Sequence, residues 1–237
     1  MKSYFFLSTL AFTLATQAGT YYPGGNWAAP EIKVCFAAGE NTKRQLDSWE
    51  VNISNWKEKN KALVMEWIQS EFSLERTGVT FIGFEDCYAG GQFDVPIFFG
   101  KTNPLFRFMV GGTDGFALLG HLLAPGKLSG YQDAKSYAWF SSSGFSKAVV
   151  VHEFGHLARL QHEHERTEAK DDPLCKSEKV GAIGINKSST HKTVGPYDPK
   201  SVMSYCAIHA KGGKNLGLSE GDLATLKFLY INKTDIQ

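Results

Sequence analysis

Short apolar runs separated by glycine, proline and polar residues predict five β-strands in this chain. One of them, Asp94–Phe99, is apolar along nearly its whole length and is therefore expected to be buried in the sheet. The sequence predicts strands at Glu31–Phe36, Val79–Phe84, Asp94–Phe99, Phe116–Leu123 (followed by a turn at Pro125-Gly126) and Ser136–Phe140.

A helical spacing of apolar residues predicts one long helical region, from Asn41 to Phe72, which ends before Gly78. Its second half carries an apolar stripe that includes two tryptophans, and we interpret this stripe as core packing. The stripe consists of Trp56, Leu63, Val64, Trp67, Ile68 and Phe72.

Two further helices are predicted in the second half of the chain. The apolar run Ala148–Val151 leads into a histidine-rich segment, so this helix should be buried, and Ser141–Gly144 offers residues to cap its N-terminus. Near the C-terminus, Ser219 and Asp222 resemble a capping box. The residues that make this last helix amphipathic are Leu223, Leu226, Leu229 and Tyr230.

The histidines of the buried helix have the spacing of a zinc site. His152 and His156 are four residues apart and share one helix face, so both imidazoles can reach one Zn²⁺ ion. Glu153 is placed to take a proton from a water bound to that ion, and His162 supplies a third ligand. Three protein ligands leave one coordination position open, which distinguishes a catalytic zinc site from a structural one.

A short His-Glu-x-x-His pattern also arises by chance in charged helices. Here the preceding residues are apolar, a third histidine follows, and a methionine-containing segment lies downstream. We therefore interpret the pattern as a hydrolytic metal site.

The N-terminal sequence indicates an exported protein, and the net charge of the chain is close to zero. Lys2, the apolar run Tyr4–Ala15 and the small residue Ala18 resemble a secretory signal peptide over residues 1–18, cleaved after Ala18, so a secreted or periplasmic location is expected. The formal net charge is +1, from 25 basic and 24 acidic residues, and no nucleic-acid binding is expected. No second long apolar run occurs, so we expect no membrane anchor. The remainder suits a single domain, and we expect a monomer.

Four cysteines in an exported chain should form two disulfides, for which three connectivities are possible. We favour Cys35–Cys87 and Cys175–Cys206, because each pair stays on one side of the histidine-rich helix and tethers the loops there locally. No Cys-x-x-Cys spacing occurs, so a thiolate zinc site is not expected.

These motifs resemble those of the metzincin zinc metallopeptidases, and within them the astacin-like branch. The residues that match the extended zinc motif and the downstream Met-turn are His152, Glu153, His156, His162, Glu163, Arg166 and Ser201–Tyr205. Leu119–Gly126 is similar to the edge-strand segment of matrixin-like members, and Leu218–Tyr230 is similar to the last metzincin helix. The resemblance covers roughly residues 30–231.

The resemblance implies an α+β metzincin fold with a mixed, twisted, five-stranded sheet and long helices. An active-site helix and a C-terminal helix would flank a cleft. A single catalytic domain would span residues 19–237, with an upper subdomain to about residue 162 and a lower subdomain over about 163–237. The implied activity is that of a secreted zinc-dependent metalloendopeptidase, with protein or peptide substrates.

The resemblance also implies a role for each site residue. The three motif histidines bind Zn²⁺, and Glu153 is the general base that activates water. Met203 forms a packing floor beneath the metal, Tyr205 stabilises the oxyanion, and Glu163 makes a supporting hydrogen bond. His164 is expected at the surface rather than as a ligand. The other histidines without ligand spacing, expected to be structural or exposed, are His121, His191 and His209.

The chain departs from the family pattern at Arg159, where a glycine is usual. The helix must turn sharply there, and an arginine in the left-handed region costs about 1 kcal/mol relative to glycine. If the helix ran straight on, His162 would lie about 9 Å beyond His156 along the axis and could not be a ligand. If the turn forms, Arg159→Gly is expected to leave the metal site intact.

A second departure concerns the segment before the first strand. Only a few residues separate Ala18 from Glu31. No counterpart of an astacin pro-peptide is therefore expected, and latency would have another origin or be absent.

Two other functions remain open. The first is a non-catalytic binding protein on a metzincin scaffold, which Arg159 favours and the presence of Glu153 disfavours. The second is a zinc hydrolase that acts on cell-wall peptides. The sequence itself does not indicate the substrate.

Overall fold

A computed structural model gives the fold of the part of the chain that carries the predicted site. It describes residues 19–39, 43–46, 49–101, 115–117, 120, 128, 130–177 and 192–231. The predicted signal peptide, most of the predicted strand Phe116–Leu123 with its turn, and residues 178–191 lie outside the described residues.

Nine strands occur in the described part of the chain. In chain order they are β1 (Gly19–Tyr21), β2 (Glu31–Phe36), β3 (Lys43–Leu46), β4 (Trp49–Ile53), β5 (Thr80–Asp86), β6 (Val95–Lys101), β7 (Gly115–Ala117), β8 (Ala138–Ser141) and β9 (Lys192–Val194). Strands β1 and β9 form an antiparallel pair, and the other seven form one mixed sheet.

The mixed sheet is built around β6, which is buried along most of its length. Strand β6 pairs in parallel with β2 and with β8, and β2 pairs in parallel with β5. Strand β7 is antiparallel to β8, and β4, which pairs with β3, is antiparallel to the last residues of β6. The main strand order is therefore β5–β2–β6–β8–β7, with the β3–β4 hairpin beside the end of β6.

Each of the five predicted strands overlaps a strand of this sheet, but the sheet has seven strands rather than five. The two additional strands, β3 and β4, come from the first part of the segment predicted to be one helical region, and that prediction is wrong for the described residues before Glu58, where α1 begins. Asn52 and Ile53 pair with Lys101 and Gly100 at the end of β6. This segment therefore completes a sheet that is distant in sequence, although the alternation of apolar and polar residues in Trp49–Ile53 is a local strand signal.

Six α-helices complete the described fold. In chain order they are α1 (Glu58–Glu71), α2 (Leu74–Thr77), α3 (Lys147–Leu157), α4 (Pro173–Ser177), α5 (Tyr205–His209) and α6 (Glu220–Tyr230). Helix α2 ends at Gly78, whose φ of 78° is left-handed, and the predicted capping box at Ser219 and Asp222 is confirmed.

Helices α1 and α3 pack against the sheet through one hydrophobic core. Val64 and Ile68 of α1 are fully buried in it, whereas Trp56 precedes the helix and donates a hydrogen bond from its indole to Ile97 O at 2.9 Å. Phe154 of α3 meets the ring of Phe81 edge-on, with 4.7 Å between centroids. Helix α3 is therefore a buried helix, as its apolar first turn predicts.

Two disulfides tie the described segments together. Cys35 in β2 is bonded to Cys87, and Cys175 in α4 is bonded to Cys206 in α5, which is the pairing favoured from the sequence. Disulfides are typical of extracellular and periplasmic proteins. Among the described residues, none of the helices has the length and apolar character needed to cross a membrane.

Candidate metal centre

Helix α3 carries the first part of the site. Ser146 caps it and accepts a hydrogen bond from the backbone N–H of Val149 at 3.4 Å. The prediction that Ser141–Gly144 would supply the cap is therefore wrong by a few residues. Ser141 instead ends β8 and bonds Ser143 within the turn that leads to the helix.

The chain turns sharply after α3, and this turn brings the third histidine back to the first two. Helix α3 ends at Leu157, and Arg159 has a φ of 75°, in the left-handed region that the family pattern assigns to glycine. Nε2 of His162 consequently lies 3.0 Å from Nε2 of His156. The turn needed for a three-histidine site thus forms with arginine at this position.

The three histidines of the motif form a group that can hold a metal ion. The ligand nitrogens of His152, His156 and His162 all lie within 4.8 Å of one another. Two nitrogens bound to one zinc ion at about 2.0–2.1 Å each are at most about 4.2 Å apart, so only small side-chain adjustments are required.

The second nitrogen of each ring is held by another group. Nδ1 of His152 lies 2.8 Å from Val202 O, and Nδ1 of His156 lies 2.8 Å from Leu160 O. A carbonyl only accepts hydrogen bonds, so both Nδ1 atoms carry the proton and leave the Nε2 lone pair for a metal. Such partners behind the imidazole are usual in metal sites, because they fix the ring orientation.

Two buried polar atoms at this site have no hydrogen-bond partner among the described residues, and both fit a bound cation. They are Nε2 of His152 and Oε2 of Glu153. Burial lowers the pKa of His152 well below its ordinary value, and positive charge on neighbouring histidines adds to this effect. A neutral imidazole is the form that binds zinc, so this environment suits a metal ligand.

Glu153 is buried beside His152 and close to β7, which is an edge strand among the described residues. A Cβ added to Gly115 would lie 3.0 Å from both Cγ and Oε1 of Glu153, so the glycine leaves room for the carboxylate. Burial raises the pKa of Glu153 well above its ordinary value. A cation at the histidines would act in the opposite direction, because it favours the charged carboxylate.

Met203 lies against the backbone of α3. A Cβ added to Gly155 would lie 2.5 Å from Sδ of Met203, so the methionine packs directly on the turn that carries His156. Asp222 of α6 holds the two residues that precede Met203. Ser201 Oγ donates to its carboxylate at 2.7 Å, and Val202 N donates to the same carboxylate at 3.1 Å. Asp222 thereby fixes the segment whose carbonyl bonds His152.

Tyr205 lies next to the metal group, at the start of α5. Its ring centroid is 4.7 Å from that of His162 and 5.3 Å from that of His152. Burial raises the pKa of Tyr205, so the hydroxyl stays protonated and can donate a hydrogen bond at neutral pH.

His164 is buried, with 5% of its surface exposed, and the prediction of a surface position is wrong. Its ring stacks on Tyr205 with 4.4 Å between centroids, and its Nδ1 accepts a hydrogen bond from the backbone N–H of Tyr205 at 3.2 Å. Burial lowers the pKa of His164 to about 4. The residue therefore stays neutral and supports Tyr205, although it also groups with His162 and Glu165.

Glu163 is completely buried below the third histidine. Oε2 accepts a hydrogen bond from Thr20 Oγ1 at 2.9 Å, and Oε1 accepts from Asp198 N at 2.9 Å and from Arg166 at 3.2 Å. Burial raises the pKa of Glu163 to about 7, against the effect of these hydrogen bonds. Glu163, which directly follows His162, thus links this part of the chain to Thr20 in β1 and to Asp198.

Sequence reasoning gave no role in supporting the histidines to three residues that have one: Glu165, Val202 and Asp222. Oε1 of Glu165 lies 2.9 Å from Nδ1 of His162. The sequence could have indicated this contact, because Glu165 follows His162 by only three residues. Val202 O and Asp222 act through contacts distant in sequence. Of the remaining histidines, His209 is exposed, and His121 and His191 lie outside the described residues.

Comparison with known proteins gives only a distant likeness in fold. The chain is similar to the solved structure of myroilysin, at 18% identity, over 87% of this chain and 82% of that chain, with a TM-score of 0.48. It is also similar to the GM1-bound form of the ECX AB5 holotoxin, at 11% identity, over 90% and 88%, with a TM-score of 0.44. No protein-family profile and no curated protein matches this sequence. Sequence identities and TM-scores this low carry no information on function. The function is therefore inferred from the site itself.

Proposed function

We propose that this chain is a secreted zinc-dependent metalloendopeptidase of the metzincin type, close to the astacin-like branch. One observation carries the proposal. Three histidine Nε2 atoms converge beside a buried glutamate whose Oε2 has no hydrogen-bond partner among the described residues. The metzincin resemblance of the sequence supports the same assignment.

The donor set fits zinc, and each neighbouring residue fits one part of peptide hydrolysis. His152, His156 and His162 would hold Zn²⁺, which when bound polarises water and a substrate carbonyl. Glu153 takes a proton from the attacking water and later transfers it to the leaving amine. Tyr205 donates a hydrogen bond from its hydroxyl to the oxyanion.

The edge of the sheet suits an extended substrate. Within the described parts of the chain, strand β7 pairs with β8 alone, and its Gly115 lies against Glu153. A peptide that adds to the outer edge of this region by β-augmentation would pass beside the general base. The proposed partner is accordingly a protein or peptide substrate, bound by a monomer.

Two observations disfavour a non-catalytic scaffold. Arg159, which favours that alternative in the sequence, occupies the left-handed conformation that the turn requires. Glu153 is buried next to the metal group without a structural hydrogen bond on Oε2 among the described residues, which suits a base more than a packing residue. A hydrolase of cell-wall peptides would use the same residues, so only the substrate separates that alternative from the proposal.

Metal content and substrate cleavage test the proposal together. The purified chain should contain about one Zn²⁺ per molecule and should cleave casein or a peptide library, with loss of activity on chelation. Glu153→Gln is the matched control, since it should retain zinc and lose activity by about 10²–10⁴-fold. Cleavage of cell-wall peptides but not of casein would favour the alternative. Zinc binding without hydrolysis of either substrate would refute a catalytic role.

A further inference from the structure

Arg159 is buried to an unusual degree for a charged residue, with 4% of its surface exposed. Its guanidinium donates to Tyr22 O from Nε at 3.1 Å and from Nη2 at 2.9 Å. Nη2 also donates to Pro23 O at 3.0 Å. All three hydrogen bonds reach main-chain carbonyls of one segment, Thr20–Trp27, which we call the N-terminal strap.

The backbone of the strap also pairs with the turn that follows α3. Tyr22 N donates to Arg159 O at 3.0 Å, and Gln161 N donates to Thr20 O at 2.8 Å. At the end of the strap, the indole of Trp27 donates to Leu157 O at 2.7 Å. The strap therefore satisfies carbonyls that the end of a helix leaves without partners.

The surroundings of Arg159 are shaped to accept its side chain. A Cβ added to Gly120 would lie 2.8 Å from Cγ of Arg159 and would also collide with Gly25 O. Gly120 N donates to His156 O at 3.0 Å, so this glycine touches both the strap and the ligand helix. Arg159 is thus enclosed between the strap, Gly120 and the turn.

Arginine and glycine hold such a turn in different ways. Glycine adopts the left-handed conformation readily, but it also adopts many others. Arginine remains there only if the surrounding contacts determine it, and here three side-chain hydrogen bonds do so. The turn lies between His156 and His162, so its geometry decides where the third imidazole points.

We propose that Arg159 is a positioning residue that fixes the third metal ligand by clamping the ligand turn to the N-terminal strap. Arg159 then replaces the glycine of the metzincin pattern and has a function of its own in the turn. Arg159→Gly should therefore disturb the metal site, in contrast to the expectation from the sequence. The inference rests on the proposed metal site, but it does not require peptidase activity.

The test compares metal binding by the full chain and three variants. Arg159→Gly removes the clamp and relieves the backbone strain, whereas Arg159→Lys keeps the charge but not the forked donors. Trp27→Phe is the matched control, because it removes one hydrogen bond between the strap and Leu157 O at the end of α3 but leaves the three hydrogen bonds of Arg159 in place. Zn²⁺ affinity is measured by chelator competition, well below the unfolding temperature, and the visible spectrum of the Co²⁺-loaded protein reports the ligand geometry.

Arg159→Gly is expected to lower Zn²⁺ affinity by about tenfold to a hundredfold and to change the Co²⁺ spectrum, with Arg159→Lys between it and the wild type. Trp27→Phe should keep the affinity and the spectrum of the wild type even if its Tm falls. If Arg159→Gly has the affinity and the spectrum of the wild type, the positioning role of Arg159 is overturned, while the proposed metal site is not affected. If Arg159→Gly does not fold, Arg159→Lys decides by the same criteria. Absence of zinc binding in the wild type would instead refute the proposed metal site itself.

Discussion

Glu165 supports His162, the proposed third metal ligand: its Oε1 lies 2.9 Å from Nδ1 of that histidine. The other two histidines of the group use main-chain carbonyls for the same purpose. Among these described contacts, the partner of His162 is therefore a side chain, which a point substitution can change. A carboxylate behind an imidazole orients the ring and increases its basicity as a ligand.

Glu165→Gln should lower Zn²⁺ affinity by about tenfold to a hundredfold, because an amide is a weaker acceptor and can turn its NH₂ group toward the ring. Chelator competition on the purified variant measures the effect. Glu66→Gln, an exposed substitution on α1, is the control for a general loss of one negative charge. Equal affinities in the two variants would mean that Glu165 does not support the ligand.

His162 and His164 should respond to alanine substitution in opposite ways. His162→Ala removes a ligand and should lower zinc affinity by several kcal/mol, which is about a thousandfold or more. His164→Ala should retain zinc, because His164 bonds Tyr205 N and stacks on its ring. It should destabilise the fold by about 2–3 kcal/mol and reduce activity through Tyr205.

Zinc titration and thermal unfolding of both alanine variants measure these effects. The assignment of His162 as the third ligand fails if His164→Ala abolishes zinc binding while His162→Ala binds normally. A His164→Ala variant with unchanged stability would instead contradict the buried position of this side chain.

Local pattern predicted much of the fold and of the metal group. The apolar runs that became β2, β5, β6 and β8 and the capping box at Ser219 depend on neighbouring residues, and they are found close to where they were predicted. The histidine motif likewise depends on one helix and one turn. Such features are encoded within a few residues, so a single sequence suffices to indicate them.

The errors arise where distant segments decide the conformation or the environment. Residues 49–53 alternate apolar and polar residues, which is itself a local strand signal, and pairing with β3 and with the end of β6 decides between this signal and the helix predicted there. His164 has no ligand spacing, but Tyr205, forty-one residues away, covers its ring. Asp222 was interpreted as a helix cap alone, whereas Ser201 and Val202 make it an anchor for the Met-turn.

Gly115 provides the space in which Glu153 lies, and Gly115→Ala tests this contact. The new Cβ would lie 3.0 Å from Glu153 Oε1 and 3.1 Å from Val149 Cγ1, so the carboxylate must move. We expect kcat to fall by about tenfold to a hundredfold with zinc content unchanged. Steady-state kinetics and metal analysis give both values.

A double-mutant cycle identifies the cause of the expected fall in kcat of Gly115→Ala. In a Glu153→Gln background, Gly115→Ala should cause little further loss, because the group that it displaces no longer acts as a base. A full, additive loss in the double variant would show that Gly115 acts on some other part of the site.

Asp222 connects the capping box of α6 to His152, and Asp222→Ala tests this connection. The carboxylate accepts hydrogen bonds from Ser201 Oγ, Val202 N and Ser219 N, all of which would lose a partner. We expect a loss of about 3 kcal/mol or more in unfolding free energy. Zinc affinity should also fall, because Val202 O is the group that orients His152 through Nδ1.

Ser219→Ala separates the two roles of Asp222. It removes the cap hydrogen bond from Asp222 N to Ser219 Oγ and the hydrogen bond from Ser219 Oγ to Asp198, but it leaves the contacts of Asp222 to Ser201 and Val202 in place. Its stability should fall by about 1 kcal/mol, as for other N-cap substitutions, while zinc affinity stays at the wild-type value. Chemical denaturation and chelator competition on both variants give the comparison. If Asp222→Ala, measured while still folded, binds zinc as tightly as Ser219→Ala does, Asp222 is a helix cap only, and the orientation of His152 does not depend on it.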